Sequence, residues 1–270
     1  MMKILTAGLD LDLFFETLAN TKQRVLMLDY DGTLAPFRIE RDQAVPYPGV
    51  GEVLNSILKT VSCRVVLVTG RKAKDLIPLL GLSRIPEIWG AHGLERLFPD
   101  NRYEVADIDE CPLRGLSEAC VWAESKGLQG LCEQKPGCLA LHWRGLGETK
   151  VKEIRDKIMA NWLPIAQDTG LALHEFDGGL ELRVPVKNKG SAVETILSEM
   201  GEDSVAAYLG DDLTDEDAFS AMDEKGLRIL VRKEFRPTNA DLWLRPPEEL
   251  LEFLKKWSRA CGGEMCKHVW

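Results

Sequence analysis

The sequence lacks long apolar runs and has no excess of positive charge. No stretch approaches the ~20 apolar residues of a membrane helix, and Asp10 and Asp12 interrupt the region where a signal peptide would need an apolar core. The formal net charge is −9, whereas a nucleic-acid surface requires positive patches. We therefore expect no membrane segment and no nucleic-acid partner, although a small phosphorylated substrate would need only a local cationic site.

A paired set of cysteines is also missing. The seven cysteines are odd in number and irregularly spaced, which favours reduced thiols in a cytoplasmic protein. Cys261, Cys266 and His268 crowd the C-terminus, but their spacing fits no standard metal site. We interpret this segment as a frayed tail.

The most informative stretch that is present runs from Arg24 to Pro36 and reads RVLMLDYDGTLAP. Its apolar part is typical of a strand buried on both faces. The strand ends in Asp29 and Asp31, and ligands of open α/β sheets bind beyond the carboxyl ends of strands. Two carboxylates there can share a hard cation, and one of them can attack phosphorus to form an aspartyl-phosphate.

Two other interpretations of this stretch stay open at this point. Asp and Gly are common in surface turns. Glu40 stands at the twelfth position from Asp29, as in a calcium loop. Such a loop needs glycine at position six, where this chain has Leu34, and follows a helix, whereas the pattern here predicts a strand.

Short apolar strands alternate with amphipathic helices in the first and last parts of the chain, which predicts a mostly parallel sheet with right-handed crossovers. The middle part changes to helix, strands, helix, strands, including an amphipathic helix from Lys150 to Trp162. The prediction is an α/β fold with a Rossmann-like parallel-sheet core and an inserted α+β cap domain. The expected boundaries are 1–107 and 187–270 for the core and 108–186 for the cap.

Polar groups of complementary type lie at the strand ends and at the start of one helix. Asp29 and Asp31 are joined by Thr69, whose hydroxyl suits a phosphate oxygen. Lys189 supplies a cation just before a helix whose free N–H groups favour anions. A second acidic cluster follows another strand: Asp211, Asp212 and Asp215. Because a cluster this dense repels itself without a cation, the set predicts a Mg²⁺-assisted phosphoryl-transfer site.

These segments resemble the four motifs of haloacid dehalogenase-like phosphatases: DYDGT from Asp29, TGR from Thr69, Lys189, and GDDLTDE from Gly210. Other segments are similar to the trehalose-6-phosphate phosphatase family: HGLE from His92, LELR from Leu180, and NKG from Asn188. The resemblance extends from about Arg24 to Leu254. It implies a haloacid dehalogenase-like fold and magnesium-dependent hydrolysis of trehalose 6-phosphate through an aspartyl-phosphate.

The resemblance also implies roles for the core residues. Asp29 would be the nucleophile, and Asp31 would protonate the leaving sugar oxygen and then activate water. Thr69 and Lys189 would hold the transferring phosphoryl group. The metal ligands would be Asp29, the main-chain carbonyl of Asp31, Asp211, and Asp212 or Asp215.

In the cap, the resemblance implies sugar contacts by Glu133, Lys135, Arg144 and Glu181. Arg71 and His92 are further candidates for substrate binding, although Arg71 could be a surface residue and His92 a packed loop histidine. Glu133 and Lys135 could instead form an exposed charged strand face. Trp143 is expected to pack between cap and core.

The substrate stays open in one respect. At the turn Asp177-Gly178-Gly179 the relatives often carry lysines, so a related sugar phosphatase acting on sucrose phosphate, mannosyl-3-phosphoglycerate or a monosaccharide phosphate is the alternative. A non-catalytic sugar-phosphate sensor is the alternative from a different class. A trehalose-6-phosphate synthase is the expected functional partner.

Overall fold

The computed structural model describes residues 2–176, 178–201, 203–222 and 226–263. Asp177, Cys266 and His268, which entered the sequence-based expectations, lie outside the described residues. The chain divides into two compact units, Met1–Tyr103 with Asn188–Trp270, and Glu104–Lys187. These limits fall within a few residues of the expected domain boundaries.

The strands and α-helices of the described residues are, in chain order, β1 (Lys3–Ile4), α1 (Leu11–Asn20), β2 (Gln23–Leu28), α2 (Val50–Leu58), β3 (Cys63–Val68), α3 (Ala73–Leu80), β4 (Glu87–Gly90), β5 (Glu95–Leu97), β6 (Tyr103–Val105), α4 (Glu110–Ser125), β7 (Cys132–Lys135), β8 (Cys138–His142), α5 (Glu148–Thr169), β9 (Ala172–Phe176), β10 (Gly179–Arg183), α6 (Lys189–Met200), β11 (Ser204–Gly210), α7 (Asp215–Ala221), β12 (Leu227–Val231), β13 (Leu242–Leu244) and α8 (Glu248–Ala260).

The first unit is built on a sheet whose order over the described residues is β1-β13-β12-β11-β2-β3-β4-β5-β6. The strands from β13 to β4 run parallel. At the two sides, β1 pairs antiparallel with β13 and β5 pairs antiparallel with β4. The predicted α/β fold is confirmed, whereas these short antiparallel additions were not foreseen, because two or three residues show no readable periodicity.

The central strand β2 is buried on both faces because helices cover both sides of the sheet. Leu26 and Leu28 belong to one hydrophobic cluster, which includes Phe253 of α8. Val25 and Met27 point the other way into a second cluster, which includes Phe219 of α7. The continuous apolar run noted in the sequence therefore reflects a strand packed between two layers of helices.

The second unit contains a four-stranded antiparallel sheet in the order β7-β8-β10-β9. Its apolar face packs against α4 and α5 in one cluster that contains Leu141, Leu180 and Trp162. Trp143 belongs to this same cluster and is buried. It therefore packs within the second unit, rather than between cap and core as expected.

Helix α5 is longer than the sequence analysis predicted. It continues to Thr169, with Pro164 inside it, instead of ending at Trp162. Proline in a helix interior removes one hydrogen bond, but Ile165 and Ala166 bury their side chains in the last two turns. This burial stabilises the helix beyond the proline. Among the described residues, no helix is both long enough and apolar enough to cross a bilayer.

Candidate active site

Three neighbouring parallel strands end at the same edge of the sheet and bring the predicted residues together. Leu28 of β2 pairs with Leu209 of β11 on one side and Leu67 of β3 on the other. Asp29 continues the ladder, since its backbone N–H donates to the carbonyl oxygen of Leu209 at 2.8 Å. Because the chain register is fixed by these pairs, the residues that follow each strand converge at this edge.

Lys189 links two of the acidic groups. Its Nζ donates to Asp29 Oδ1 and to Asp215 Oδ1, each at 2.7 Å. All three side chains are nearly or fully buried. Although burial alone would lower the pKa of Lys189, Asp215 and Asp29 raise it above its usual range, so the ammonium group stays charged.

Asp29 is a buried carboxyl group with contacts on both oxygens. Thr33 Oγ1 donates to its Oδ2 at 3.0 Å, while Lys189 occupies Oδ1. Burial raises the pKa of Asp29 to about 7, Lys189 opposes this increase, and Asp215 and Asp31 add to it. The site therefore holds more negative charge than Lys189 alone neutralises.

Three of the five predicted metal ligands form a compact group. Asp29, Asp211 and Asp215 offer oxygen atoms that all lie within 4.8 Å of one another. Burial, together with Asp29 and the other acidic neighbours, raises the pKa of Asp211 well above its usual range. The side chain of Asp212, also a predicted ligand, is not part of this group, and for Asp31 the predicted ligand is the main-chain carbonyl.

Asp215 is the most heavily bonded member of the acidic cluster. Its Oδ2 accepts hydrogen bonds from the backbone N–H groups of Asp211 and Asp212, at 3.0 and 2.9 Å. Its Oδ1 accepts from Lys189 and from Tyr208 Oη, both at 2.7 Å. Asp215 thus orients the 211–212 backbone and Lys189 at the same time.

Glycines allow the close approaches in this site. Gly32 has a φ of +88°, and a Cβ there would lie 2.2 Å from Asp211 Oδ2. A Cβ on Gly210 would lie 2.3 Å from Asp215 Cγ. A side chain at either position would force the neighbouring aspartate to move, because such contacts are far inside van der Waals distance.

Asp31 is held by Arg71 rather than by the acidic group. Arg71 Nε and Nη2 donate to the two carboxylate oxygens at 2.6 and 2.7 Å. Its Nη1 donates to the carbonyl oxygen of Arg41 at 2.8 Å, and its guanidinium lies 5.6 Å from the ring centroid of Tyr30. Arg71 is buried, so the surface interpretation of this residue is wrong.

Thr69 and His92 lie in the adjoining loops. Thr69 is buried after β3, and its Oγ1 accepts from the backbone N–H of Arg71 at 3.1 Å. His92 has a φ of 57°, and its backbone N–H donates to the carbonyl oxygen of Thr69 at 3.0 Å. A Cβ on Gly70 would lie 2.7 Å from the His92 ring, so the imidazole packs against this turn.

The sugar-binding candidates of the second unit form a polar network of their own. Lys135 Nζ donates to Glu181 Oε1 at 2.7 Å and lies 4.0 Å from Glu133 Oε2. The Lys135 side chain is only 4% exposed, so the exposed-face interpretation is wrong for it. Arg144 packs over Gly178, where a Cβ would lie 3.0 Å from its Nε.

Three residues that were not predicted from the sequence complete the first unit's site. Tyr208 donates to Asp215, and its hydroxyl within the apolar part of β11 was the available signal. Arg232 and Arg236 donate to the carbonyl oxygen of Asp211 at 3.3 and 3.2 Å. Arg232 directly follows β12. It could have been predicted by the same argument that selected the polar residues after the other strands.

Comparison with known proteins identifies the family. The sequence profile of the trehalose-phosphatase family matches residues 27–247. Probable trehalose-phosphate phosphatase C of Arabidopsis thaliana is 29% identical, over 94% of this chain and 84% of that protein. Probable trehalose-phosphate phosphatase 4 of Oryza sativa subsp. japonica is 30% identical, over 88% of this chain and 67% of that protein.

The C-terminal domain of the C. albicans trehalose-6-phosphate phosphatase has the same fold, with a TM-score of 0.75. The two sequences are 20% identical, and the match covers 97% of this chain and 100% of that one. The chain belongs to the trehalose-phosphatase family and is a phosphoric monoester hydrolase.

Proposed function

We propose that this enzyme hydrolyses trehalose 6-phosphate to trehalose and phosphate, with Mg²⁺ as cofactor and Asp29 as the nucleophile. The observation that carries the proposal is the arrangement around Asp29. Its carboxylate lies at a strand end, bonded to the buried Lys189 and within 4.8 Å of ligand atoms of Asp211 and Asp215. Membership of the trehalose-phosphatase family supports the substrate.

The acidic group fits a hard divalent cation. Its donors are all carboxylate oxygens, the ligand type that Mg²⁺ prefers. Asp215 already accepts four hydrogen bonds, whereas Arg232 Nη1 lies 3.9 Å from Asp211 Oδ2, beyond hydrogen-bond distance. We therefore assign Asp29 and Asp211 as metal-holding side chains, with the Asp31 carbonyl and Asp212 as further ligands. When bound, the ion neutralises the charge that develops on the phosphoryl group.

The chemistry of Asp29 follows from its surroundings. One carboxylate oxygen attacks phosphorus, so the Asp29 O–P bond forms as the bond between phosphorus and the sugar oxygen breaks. Lys189 reduces the repulsion between the carboxylate and the phosphate dianion and, with Thr69, holds the phosphoryl group. Water then cleaves the aspartyl-phosphate and releases phosphate.

Asp31 handles the proton in both steps. It gives a proton to the leaving sugar oxygen and then takes one from the attacking water. Arg71 bonds both oxygens of Asp31 in this structure. We therefore assign Arg71 to orienting Asp31 instead of binding substrate directly. His92 packs against Gly70 and shapes the turn that carries Thr69 and Arg71.

The sugar would be held by the second unit. Glu133, Lys135 and Glu181 form one connected network, and Arg144 lies at the hairpin turn of β9 and β10. Carboxylates accept hydrogen bonds from sugar hydroxyls, and the Lys and Arg groups donate to sugar oxygens.

A substrate panel tests the proposal directly. Phosphate release is measured for trehalose 6-phosphate, sucrose phosphate, mannosyl-3-phosphoglycerate and glucose 6-phosphate, each with Mg²⁺ and with a chelator. We expect the highest kcat/KM for trehalose 6-phosphate, loss of turnover with the chelator, and recovery when Mg²⁺ is added back. A higher kcat/KM for another sugar phosphate would contradict the substrate, and turnover in the chelator would contradict the metal. Binding without any phosphate release would identify a sensor instead.

A further inference from the structure

The sheet of the second unit has one polar face. Side chains alternate across a strand, and the register pairs Lys135 with Cys138, Cys138 with Arg183, and Ala140 with Glu181. These side chains therefore share a face with Glu133. The other face carries Leu139, Leu141, Leu180 and Leu182, which pack in the hydrophobic cluster with α4 and α5.

Glu181 is the central acceptor on the polar face. Its Oε1 accepts from Lys135 Nζ at 2.7 Å and from Cys138 Sγ at 3.0 Å. Its Oε2 lies 3.7 Å from Arg183 Nη1. Glu181 and Cys138 are both buried, with 4% and 3% of their surfaces exposed.

The thiol acts as a donor here. Burial raises the pKa of Cys138 well above its usual range, Lys135 opposes this increase, and Glu181 adds to it. The group therefore keeps its proton. A hydrogen bond to an ionised acceptor is stronger than a neutral one, so the thiol adds a directional contact to the contact that Lys135 makes.

We propose that Cys138 is a positioning residue for substrate recognition: its thiol and Lys135 together fix the Glu181 carboxylate that receives the hydroxyl groups of the sugar. The inference rests on the proposed function, in which Glu181 contacts the disaccharide. A carboxylate held at one oxygen by two donors cannot rotate, so its acceptor directions are set before the sugar arrives. This preorganisation lowers the cost of binding.

Cys138→Ala and Cys138→Ser test this role. The alanine variant loses the donor, and we expect KM for trehalose 6-phosphate to rise about 10-fold, with kcat changed by less than about twofold. Serine restores an O–H donor, and its KM should return to within about threefold of wild type. Hydrolysis of 4-nitrophenyl phosphate, which has no sugar, should be unchanged in both variants, since Glu181 has nothing to recognise.

Cys132→Ala is the matched control. Cys132 lies on the neighbouring strand β7 and packs against the hydrophobic cluster on the other face. Its replacement should leave KM for trehalose 6-phosphate unchanged.

Three results would overturn the proposal. They are an unchanged KM in Cys138→Ala, a serine variant as impaired as the alanine variant, and an equal loss on 4-nitrophenyl phosphate. If Cys138→Ala does not fold, Cys138→Val, which fills the space without a donor, replaces it in the comparison with Cys138→Ser.

The wild-type substrate panel separates this inference from the proposed function. If another sugar phosphate is preferred, only the substrate assignment fails, and the same variants are compared on that sugar phosphate. If wild type hydrolyses no sugar phosphate, the proposed function fails and the role of Cys138 fails with it.

Discussion

At the scale of single residues, the first unit's site is dominated by charge burial. Ligand atoms of Asp29, Asp211 and Asp215 lie within 4.8 Å of one another, and the buried ammonium group of Lys189 bonds Asp29 and Asp215. Removing a carboxylate from water costs several kcal/mol, and this burial is the main reason why the pKa values of Asp29 and Asp211 are raised. A divalent cation would offset this cost, so the arrangement favours metal binding over an empty site.

Motif chemistry predicted which residues gather at this site, but it could not predict how they pair. The main-chain carbonyl of Asp31 and the side chain of Asp212 were expected to ligate metal, but the motifs did not reveal that the Asp31 carboxylate is held by Arg71. Asp215 turned out to be saturated by hydrogen bonds. Such pairings depend on side-chain directions across separate loops, and spacing along the chain does not specify these directions.

Gly32→Ala should abolish most activity. The new Cβ would lie 2.2 Å from Asp211 Oδ2, so Asp211 must move from its position beside Asp29. We expect kcat/KM to fall at least ~100-fold, on the scale of losing a positioned catalytic group. Phosphate release with saturating Mg²⁺ measures this effect.

Gly8→Ala is the control for Gly32→Ala. Gly8 has a φ of +86°, and a Cβ there would meet no other atom within 4 Å. The variant should lose ~1–2 kcal/mol of unfolding free energy from backbone strain alone, with kcat/KM unchanged. Similar activity in both variants would show that the Gly32–Asp211 contact is not needed.

At the scale of elements, the site depends on where helices start. Lys189 is the first residue of α6, and Asn188 caps the helix through its Oδ1, which accepts from the Ser191 backbone N–H at 2.9 Å. The Ser191 hydroxyl in turn accepts from the Asn188 backbone N–H. This capping box fixes the direction in which Lys189 leaves the helix.

Asn188→Ala should therefore reduce both stability and turnover. Loss of the cap should cost about 1 kcal/mol of unfolding free energy, and kcat should fall several-fold because Lys189 is less firmly placed. Asp10→Ala, which removes the cap of α1, should cost a similar amount with kcat unchanged. Urea unfolding and steady-state kinetics on both variants measure these effects, and an equal kcat in the two would contradict the argument.

Element types were predictable from periodicity, but some element ends were not. The helix expected to stop at Trp162 continues through Pro164 to Thr169, because burial of Ile165 and Ala166 outweighs the local preference. The short strands β1 and β5 escaped prediction since they are defined by pairing with distant strands. In each case tertiary contacts, rather than the weak local sequence preference, determine the secondary structure.

Pro164→Ala should stabilise the second unit. Pro164 is exposed, so alanine loses little packing while it restores a backbone donor inside α5. We expect a gain of ~1–3 kcal/mol in unfolding free energy, reduced in part because proline also restricts the unfolded chain. Thermal unfolding measures it, and a lower Tm would show that the proline ring makes a necessary contact.

At the scale of the whole molecule, the raised carboxyl pKa values make stability depend on pH and metal together. Asp29 binds its proton up to about pH 7 when folded but only to about pH 3.8 when unfolded. Between these values the folded state holds more protons, so its stability falls as the pH rises. Carboxyl groups with lowered pKa values, such as Asp241, act in the opposite direction but are ionised in both states above about pH 5.

The metal-free protein should therefore lose Tm as the pH rises from about 5 to 7. Mg²⁺ should raise Tm more at pH 8 than at pH 6, because the ion binds ionised carboxylates and competes with protons. Thermal unfolding at several pH values between 5 and 8, once in a chelator and once in Mg²⁺, measures both changes in Tm. Asp29→Asn should flatten the metal-free profile, and a Tm that rises with pH in the chelator would contradict the charge assignment.

The measurement that tests the account most directly is detection of phosphate on Asp29. The enzyme is mixed with trehalose 6-phosphate carrying a labelled phosphate, quenched in acid within one turnover, digested, and its peptides are analysed. We predict label on the peptide containing Asp29 in wild type, and neither label nor phosphate release above ~0.1% of wild type in Asp29→Asn. Phosphate release by wild type with no label on that peptide would contradict covalent catalysis by Asp29.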